Sequence, residues 1–451
     1  MSKPVSKVFF HFSLFFLLLL WGVQIHAAPS GAPASVEDFP ENVFVRNRLI
    51  DEVLGPLEAA AKMQPDLFTE PGYTHRVQFF IEETEEFLYF CFYHGRETRF
   101  AEPVRGSIYF KRSRETGRLL KMKIFYKNDA GSYLAIEPEG ESMSRLNIFL
   151  LQRNIQQDIL IPMSLDEIAR MPVSEIMRNT TGYVDWSFYL PGGEFPFPVL
   201  TSNDELVDQI RPYFSQLEDA DDGAMDESGR YVFIRDDSFQ GDGTAGGLNC
   251  SGFAKWVVDG ILYPLTGSFL PVEPLKEKHP DFRGNRWSSK AEDLEDPYFG
   301  LDWTRNLAVR AFLTLFPEMK AVGGLRSDPE AADVNYLRYH EYEEDVGYPV
   351  GQLPTILYEL ARRNVDRFYL GSVNMLTHGE HDLRRHYHVA VFIPWLDSEG
   401  GLEVSIMERN TETSLENFVE RYRGNYIHLV EVPNPGGFKP GNMQLEPVIK
   451  R

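Results

Sequence analysis

Cysteine is the scarcest reactive residue in this chain: 451 residues hold Cys91 and Cys250 and no others. That excludes a disulfide-stapled scaffold, which needs several closely spaced pairs. Basic residues also run short, 45 Lys and Arg against 67 Asp and Glu, for a formal net charge of −22. Such a balance excludes a general affinity for nucleic acid or an anionic membrane surface, and leaves cationic or zwitterionic substrates open. Past the first thirty residues no apolar run is long enough to span a bilayer. Internal repeats and low-complexity tracts are absent, so a repeat architecture is not expected. What the chain does have is 43% hydrophobic and 13% aromatic content, enough for sizeable cores, and length for two or three domains.

The opening residues follow the three-part pattern of a secretory signal peptide. Lys3 and Lys7 precede an apolar run from Val8 through Val23, and Ala27 offers a small residue for cleavage. Residues 1–27 are therefore expected to leave on export, giving a secreted or periplasmic protein with no stable membrane insertion. An uncleaved anchor helix is the alternative.

Residues 28–70 read as a flexible Ala/Pro/Ser-rich lead followed by a helix over Val43–Lys62. Strand patterns then dominate: Val77–Ile81, Phe87–Tyr93, Gly106–Phe110, Leu119–Tyr126, Leu146–Leu151 and Ile159–Ile161. Residues 71–178 are expected to form a β-rich accessory domain that serves docking, substrate binding or scaffolding. Tyr183–Tyr189 reads as a strand opening a second domain over 179–451. Within that domain Glu218–Gly223 reads as a solvated loop, because its glycine falls one place early for a calcium loop and no terminal glutamate follows. Asp302–Phe316 and Leu353–Asn364 have helical spacing, and Arg367–Val373 reads as a strand.

The stretch that points to chemistry is Gly246-Gly247-Leu248-Asn249-Cys250-Ser251-Gly252-Phe253. Phe253, Trp256, Val257 and Ile261 then recur at helical spacing, which places Cys250 at or near a helix N-terminus. The first N–H groups of a helix have no intrahelical partner and its dipole favours negative charge there, so a thiolate is stabilised. A buried, inert structural thiol is the plain alternative. Cys91 lies in the apolar run Phe87–Tyr93 and is assigned to core packing. An unpaired thiol in an oxidising compartment is a liability unless used, which moves Cys250 towards catalysis.

His378, His381, His386 and His388 crowd together later in the chain. His388 opens the apolar strand Val389–Ile393, the turn Asp397–Gly401 follows, and Leu402–Asn410 returns as the hairpin partner. Glu408 and Asn410 share a parity and are expected on one face near the strand end, beside the histidine. That set supplies a Cys/His dyad with a polar third group to orient the imidazole. His386 has the parity of His388 and is the alternative base.

Asn249–Phe253 resembles the nucleophile segment of the NlpC-like cell-wall peptidases. His388–Val391 through Glu408-Arg409-Asn410 is similar to the pattern of the CHAP (cysteine, histidine-dependent amidohydrolase/peptidase) family. Both are papain-like cysteine hydrolases, so the resemblance implies an α+β fold and cleavage of a peptide or amide bond in peptidoglycan, with no cofactor. Carried over by position, Cys250 is the nucleophile, His388 the general base, Glu408 the orienting partner and Asn410 a fourth polar member. The long gap between Cys250 and His388 then requires an insertion, about 264–350. Asn249 stands where such families often carry Asp, and the Cys250 N–H is the oxyanion donor that can be named. Three other readings stay open. One is a zinc site built from the four histidines with Glu380 and Asp382. The others are an inactive cell-envelope binding protein of the same fold, and an ordinary core hairpin.

Overall fold

The computed structural model describes residues 39, 42–69, 76–95, 104–189, 202–279, 296–317, 330–377 and 383–441. Its class is α+β, with antiparallel sheets dominant. Residues 1–38, where the signal peptide is expected, lie outside the described set.

The first sheet is an eight-stranded antiparallel meander in strict chain order. Its strands are β1 (Asp66–Thr69), β2 (Arg76–Glu83), β3 (Phe87–Gly95), β4 (Ile108–Ser113), β5 (Leu119–Phe125), β6 (Tyr133–Pro138), β7 (Ser144–Leu150) and β8 (Arg153–Ile161). Period-two alternation sends Val77, Phe79, Phe90, Phe92, Ile108, Phe110, Met122, Ile124, Leu134 and Ile136 to one face. That face is closed by α1 (Val43–Leu54), the short α2 (Leu57–Ala60), α3 (Leu165–Arg170) and α4 (Val173–Thr180). Pro56 ends the long helix expected over Val43–Lys62, because α1 stops at Leu54 and Pro56 becomes the N-cap of α2. Ser164 and Glu167 form a reciprocal capping box at the head of α3. The core of this unit takes in Val45, Ile50 and Val53 at one end and Trp186, Phe188 and Tyr189 at the other. Tyr183–Tyr189 is not the strand its composition suggested: it turns through a 3-10 segment at Trp186–Phe188, where the Asp185 carboxylate accepts from the Ser187 N–H.

The second sheet has six strands in the order β13-β18-β14-β15-β16-β17. These are β13 (Tyr348–Pro349), β14 (Arg367–Thr377), β15 (Leu383–Leu396), β16 (Leu402–Glu408), β17 (Thr411–Thr413) and β18 (Tyr426–Pro433). Helices cover both faces. On one side Phe368, Leu370, Val389, Val391, Val430 and Val432 meet α5 (Ser202–Ile210), α6 (Cys250–Thr266) and α7 (Phe299–Leu315). On the other, Tyr369, Val373, Ala390, Phe392, Ile427 and Leu429 meet α8 (Leu353–Arg363) and α9 (Leu415–Arg421). Burial on both faces is why Val389–Ile393 is continuously apolar instead of alternating. The 264–350 stretch, expected as an insertion, supplies α7, whose Trp303, Leu307, Ala308 and Ala311 sit in the same core as α6.

Glu218–Gly223 keeps Glu218, Asp219 and Asp221 exposed, as a solvated stretch should, but is also a structural joint. Glu218–Asp219 (β9) pairs in parallel with Gly247–Leu248 (β12), the residues that lead into Cys250. Gly223 is buried, and its carbonyl accepts from the Asn249 N–H at 3.1 Å. The packing is so close that a Cβ on Gly252 would lie 1.9 Å from that same carbonyl oxygen. Gly252→Ala is therefore expected to cost about 1–3 kcal/mol in urea unfolding. Gly351→Ala, where an added Cβ meets nothing within 4 Å, is expected to leave the midpoint within experimental error or raise it. Equal midpoints for the two variants would show that the glycine contact carries no packing constraint.

Candidate active site

Cys250 is the first residue of α6, as the glycine-rich approach and the helical spacing require. Asn249 caps the helix: its backbone is extended and its Oδ1 accepts from the Gly252 N–H at 2.8 Å. On the far side the Trp303 indole of α7 donates to the Ser251 carbonyl at 2.9 Å, fixing the first turn. Cys250 is partly exposed and unpaired, whereas Cys91 is buried and unpaired. Cys91 is buried, as its assignment to core packing requires, on the face of the first sheet opposite the helices and beside Tyr109 on β4.

His388 faces the thiol from β15, close enough that each side chain shifts the protonation of the other. Its Nε2 lies 2.7 Å from Glu408 Oε1, so Nδ1 is the ring nitrogen left for the sulfur. Glu408 is buried at the end of β16 and gathers two further donors. Arg421 Nη1 donates to Oε2 at 2.8 Å and the Tyr422 hydroxyl to Oε1 at 3.1 Å. The Tyr422 ring also stacks on His388, with centroids 5.5 Å apart and planes at 22°. Arg421 and Tyr422 close α9; nothing in their sequence spacing marked them, because a helix inserted after the hairpin brings them back.

Two expectations fail here. Asn410 does not reach the histidine. β16 ends at Glu408, Arg409 takes a positive φ of 55°, and the turned chain points the Asn410 amide at the Leu217 carbonyl, 3.0 Å away. Arg409 itself lies 3.8 Å from Asp219. Asn410 and Arg409 thus fasten the Glu408 hairpin to β9, which pairs with the strand delivering Cys250. His386 and His388 do not share a face either. The β14–β15 register slips between Val373 and Asn374, leaving Tyr387 as an extra residue that reverses the alternation. His386 turns to Ser372 Oγ at 3.0 Å, on the side of α6 and α7, and is buried. The shared face needed for a second base or a zinc pair is therefore not formed. His378, Glu380, His381 and Asp382 lie outside the described residues, among which no group of three His, Cys, Asp or Glu is disposed to hold a metal.

The electrostatics favour a thiolate–imidazolium pair. Burial opposes charge on Cys250, but the His388 hydrogen bond and charge, the Val389 N–H and the Arg409 guanidinium outweigh it and pull the thiol below its ordinary value. Burial likewise disfavours the imidazolium, yet Cys250 and Glu408 on either side raise His388 to about 9. Glu408 falls to about 2: burial opposes its charge, and the His388, Thr413 and Arg421 contacts prevail. Glu408 stabilises the fold fully above its ordinary 4.5 and loses that share as pH falls towards 2. His388 stabilises it fully below 6.5 and loses its share as pH rises towards 9. The N–H groups of Cys250 and Ser251 take no protein acceptor among the described residues, which leaves two donors beside the sulfur.

Residues 35–188 match a family model described as a domain of unknown function (DUF8515). The match covers the first sheet and its helices; the Cys250 site lies beyond it. No curated protein and no solved structure matches the chain.

Iodoacetamide should alkylate the native protein at Cys250 below pH 8 and leave Cys91 unlabelled until the chain is unfolded, as read by peptide mass spectrometry. His388→Ala should slow labelling at pH 6.5 by about tenfold or more, and Glu408→Gln by less. Equal rates in wild type and His388→Ala would remove the ion pair.

Proposed function

We propose that the chain is an exported papain-like thiol hydrolase that cleaves a peptide or amide bond. The observation that carries the reading is a half-buried sulfur at the head of a helix, beside an imidazole whose Nε2 is held by a buried carboxylate. Such a line of groups suits nucleophilic acyl transfer. The Cys250 thiolate would attack the carbonyl carbon, and the Cys250 N–H at the head of α6 would receive the oxyanion. The imidazolium of His388 would protonate the leaving amine, giving a thioester. Neutral His388 would then take a proton from water, whose attack releases the acid and restores the thiol. Glu408 would keep the imidazole in one orientation and favour its charged form, with Tyr422 and Arg421 holding the carboxylate.

Peptidoglycan is the proposed substrate and the periplasm or exterior the proposed location. The resemblance of Asn249–Phe253 and of His388 through Asn410 to cell-wall hydrolases supports the first, and the pattern of residues 1–27 the second. No cofactor is needed for any step.

Digestion of purified peptidoglycan, followed by chromatography of the released fragments, tests the reading. Cys250→Ala and His388→Ala should each reduce release by at least about a thousandfold. Glu408→Gln should reduce it by roughly ten- to a thousandfold and shift the alkaline limb of the rate profile downward. A chelator should have no effect. Activity retained in Cys250→Ala, or lost with chelator alone, would overturn the thiol mechanism. Undetectable hydrolysis with intact wall binding would favour an inactive binding protein.

A further inference from the structure

The face of the first sheet turned away from its helices carries a surface unrelated to the Cys250 chemistry. Alternation that buries Phe90, Phe110, Met122 and Ile148 on the helix side turns their neighbours outward. The outward set includes a row of rings crossing five strands: Tyr89, Tyr109, Phe125, Tyr133 and Phe149. Successive centroids are 6.2, 5.8, 5.7 and 4.7 Å apart. Within the row Phe125 is buried and the other four are half-buried, and none of the five belongs to the helix-side core cluster. A contiguous apolar strip of this kind on a soluble domain usually marks a binding surface.

The same face gathers lysines around the strip, with Glu82 opposite Tyr89 and Glu137 beside Lys121 as carboxylates among them. Lys111 on β4 stands directly opposite Lys121 on β5, and Lys123 opposes Tyr109. Lys121 pairs with Glu137 at 2.5 Å. Lys111 and Lys123 make no ion pair among the described residues. They sit instead over rings, Lys111 Nζ 3.5 Å from the Phe87 centroid and Lys123 Nζ 3.8 Å from that of Tyr133. Like charges facing each other across strands are unfavourable, and burial together with Lys121 and Lys111 draws Lys123 down to about 8. An arriving anion relieves that repulsion. The two ammonium groups lie over different rings, so the positive charge is spread along the strip and does not converge on one pocket.

We propose that this sheet face binds a linear polysaccharide whose sugars carry carboxylates, with the sugar rings laid along the aromatic strip and Lys111 and Lys123 meeting separate carboxylates. The C–H faces of a pyranose are apolar and carry slight positive charge, which suits aromatic π faces. Nucleic acid fits less well. Its affinity comes mainly from neutralising many phosphates, which two unpaired lysines on a chain of net charge −22 do not supply.

Affinity electrophoresis of the full chain in about 0.1 M salt, which screens long-range repulsion, tests this. Three gels are used: one containing polygalacturonate, one the same polymer fully methyl-esterified, and one a thymidine oligonucleotide. Polygalacturonate should retard the wild type. The apparent dissociation constant should rise about fivefold or more for the esterified polymer, for the K111Q/K123Q double variant, and for Tyr133→Leu. The double variant removes a like-charge contact, so its thermal midpoint should be unchanged or higher, separating lost binding from lost fold. Absence of retardation, equal retardation by the esterified polymer or of the folded double variant, or tighter binding of the oligonucleotide would each overturn the proposal.

Discussion

The second unit depends on keeping three titratable groups in a line inside a partly buried site: sulfur, imidazole and carboxylate. Burial alone drives such groups neutral, and Cys91 shows it. There burial and the nearby Glu82 charge push the thiol far up, while at Cys250 the same residue type is pulled down. What differs is position. Cys250 has a helix head behind it, a strand N–H at Val389 beside it and an imidazole in front. Each group in the line favours the charged form of its neighbour against the cost of burial.

That line is assembled from three distant parts of the chain, so its geometry is only as firm as the joints between them. The parallel pairing of β9 with β12 sets the approach to Cys250, and Asn410 and Arg409 tie the Glu408 hairpin to the β9 segment. The sulfur and the carboxylate therefore share a support, with the imidazole held between them. α7 adds a clamp through the Trp303 bond to Ser251, and the Gly252–Gly223 contact sets how near the helix head sits. None of these joints touches a reacting atom. All of them fix the spacing on which the hydrogen bonds depend.

How far this was legible in the sequence follows from the range of each signal. The nucleophile helix declares itself locally, through glycines before Cys250 and apolar residues at i, i+3 and i+4 after it. The hairpin does the same through its Asp397–Gly401 turn, and parity placed Glu408 correctly because β16 is regular up to that residue. Parity failed where the backbone leaves the regular path. One extra residue at Tyr387 reversed His386, and one positive φ at Arg409 redirected Asn410. Two-residue strands such as β9 are too short for any periodicity, so the pairing was hidden although its acidic residues are exposed as expected. Arg421 and Tyr422 were hidden for another reason: which helix returns to a strand end is a tertiary fact.

The first unit has a mechanical relation to the site that its chain position does not suggest. Leu396 and Leu402, at the turn end of the β15–β16 hairpin, pack against the core of the first sheet, and Tyr358 of α8 is buried in it. Lys127 Nζ donates to the Gly400 carbonyl at 2.6 Å, while Asp397 Oδ1 accepts from the Glu399 and Gly401 N–H groups. The hairpin that carries His388 and Glu408 is thus braced at both ends, by the first unit at its turn and by β9 and α9 at the reacting groups. A strand pair fixed at both ends has little freedom to shear, and a shear of one residue would turn Glu408 away from the imidazole altogether. The β-rich unit is in this sense part of the framework that positions the histidine.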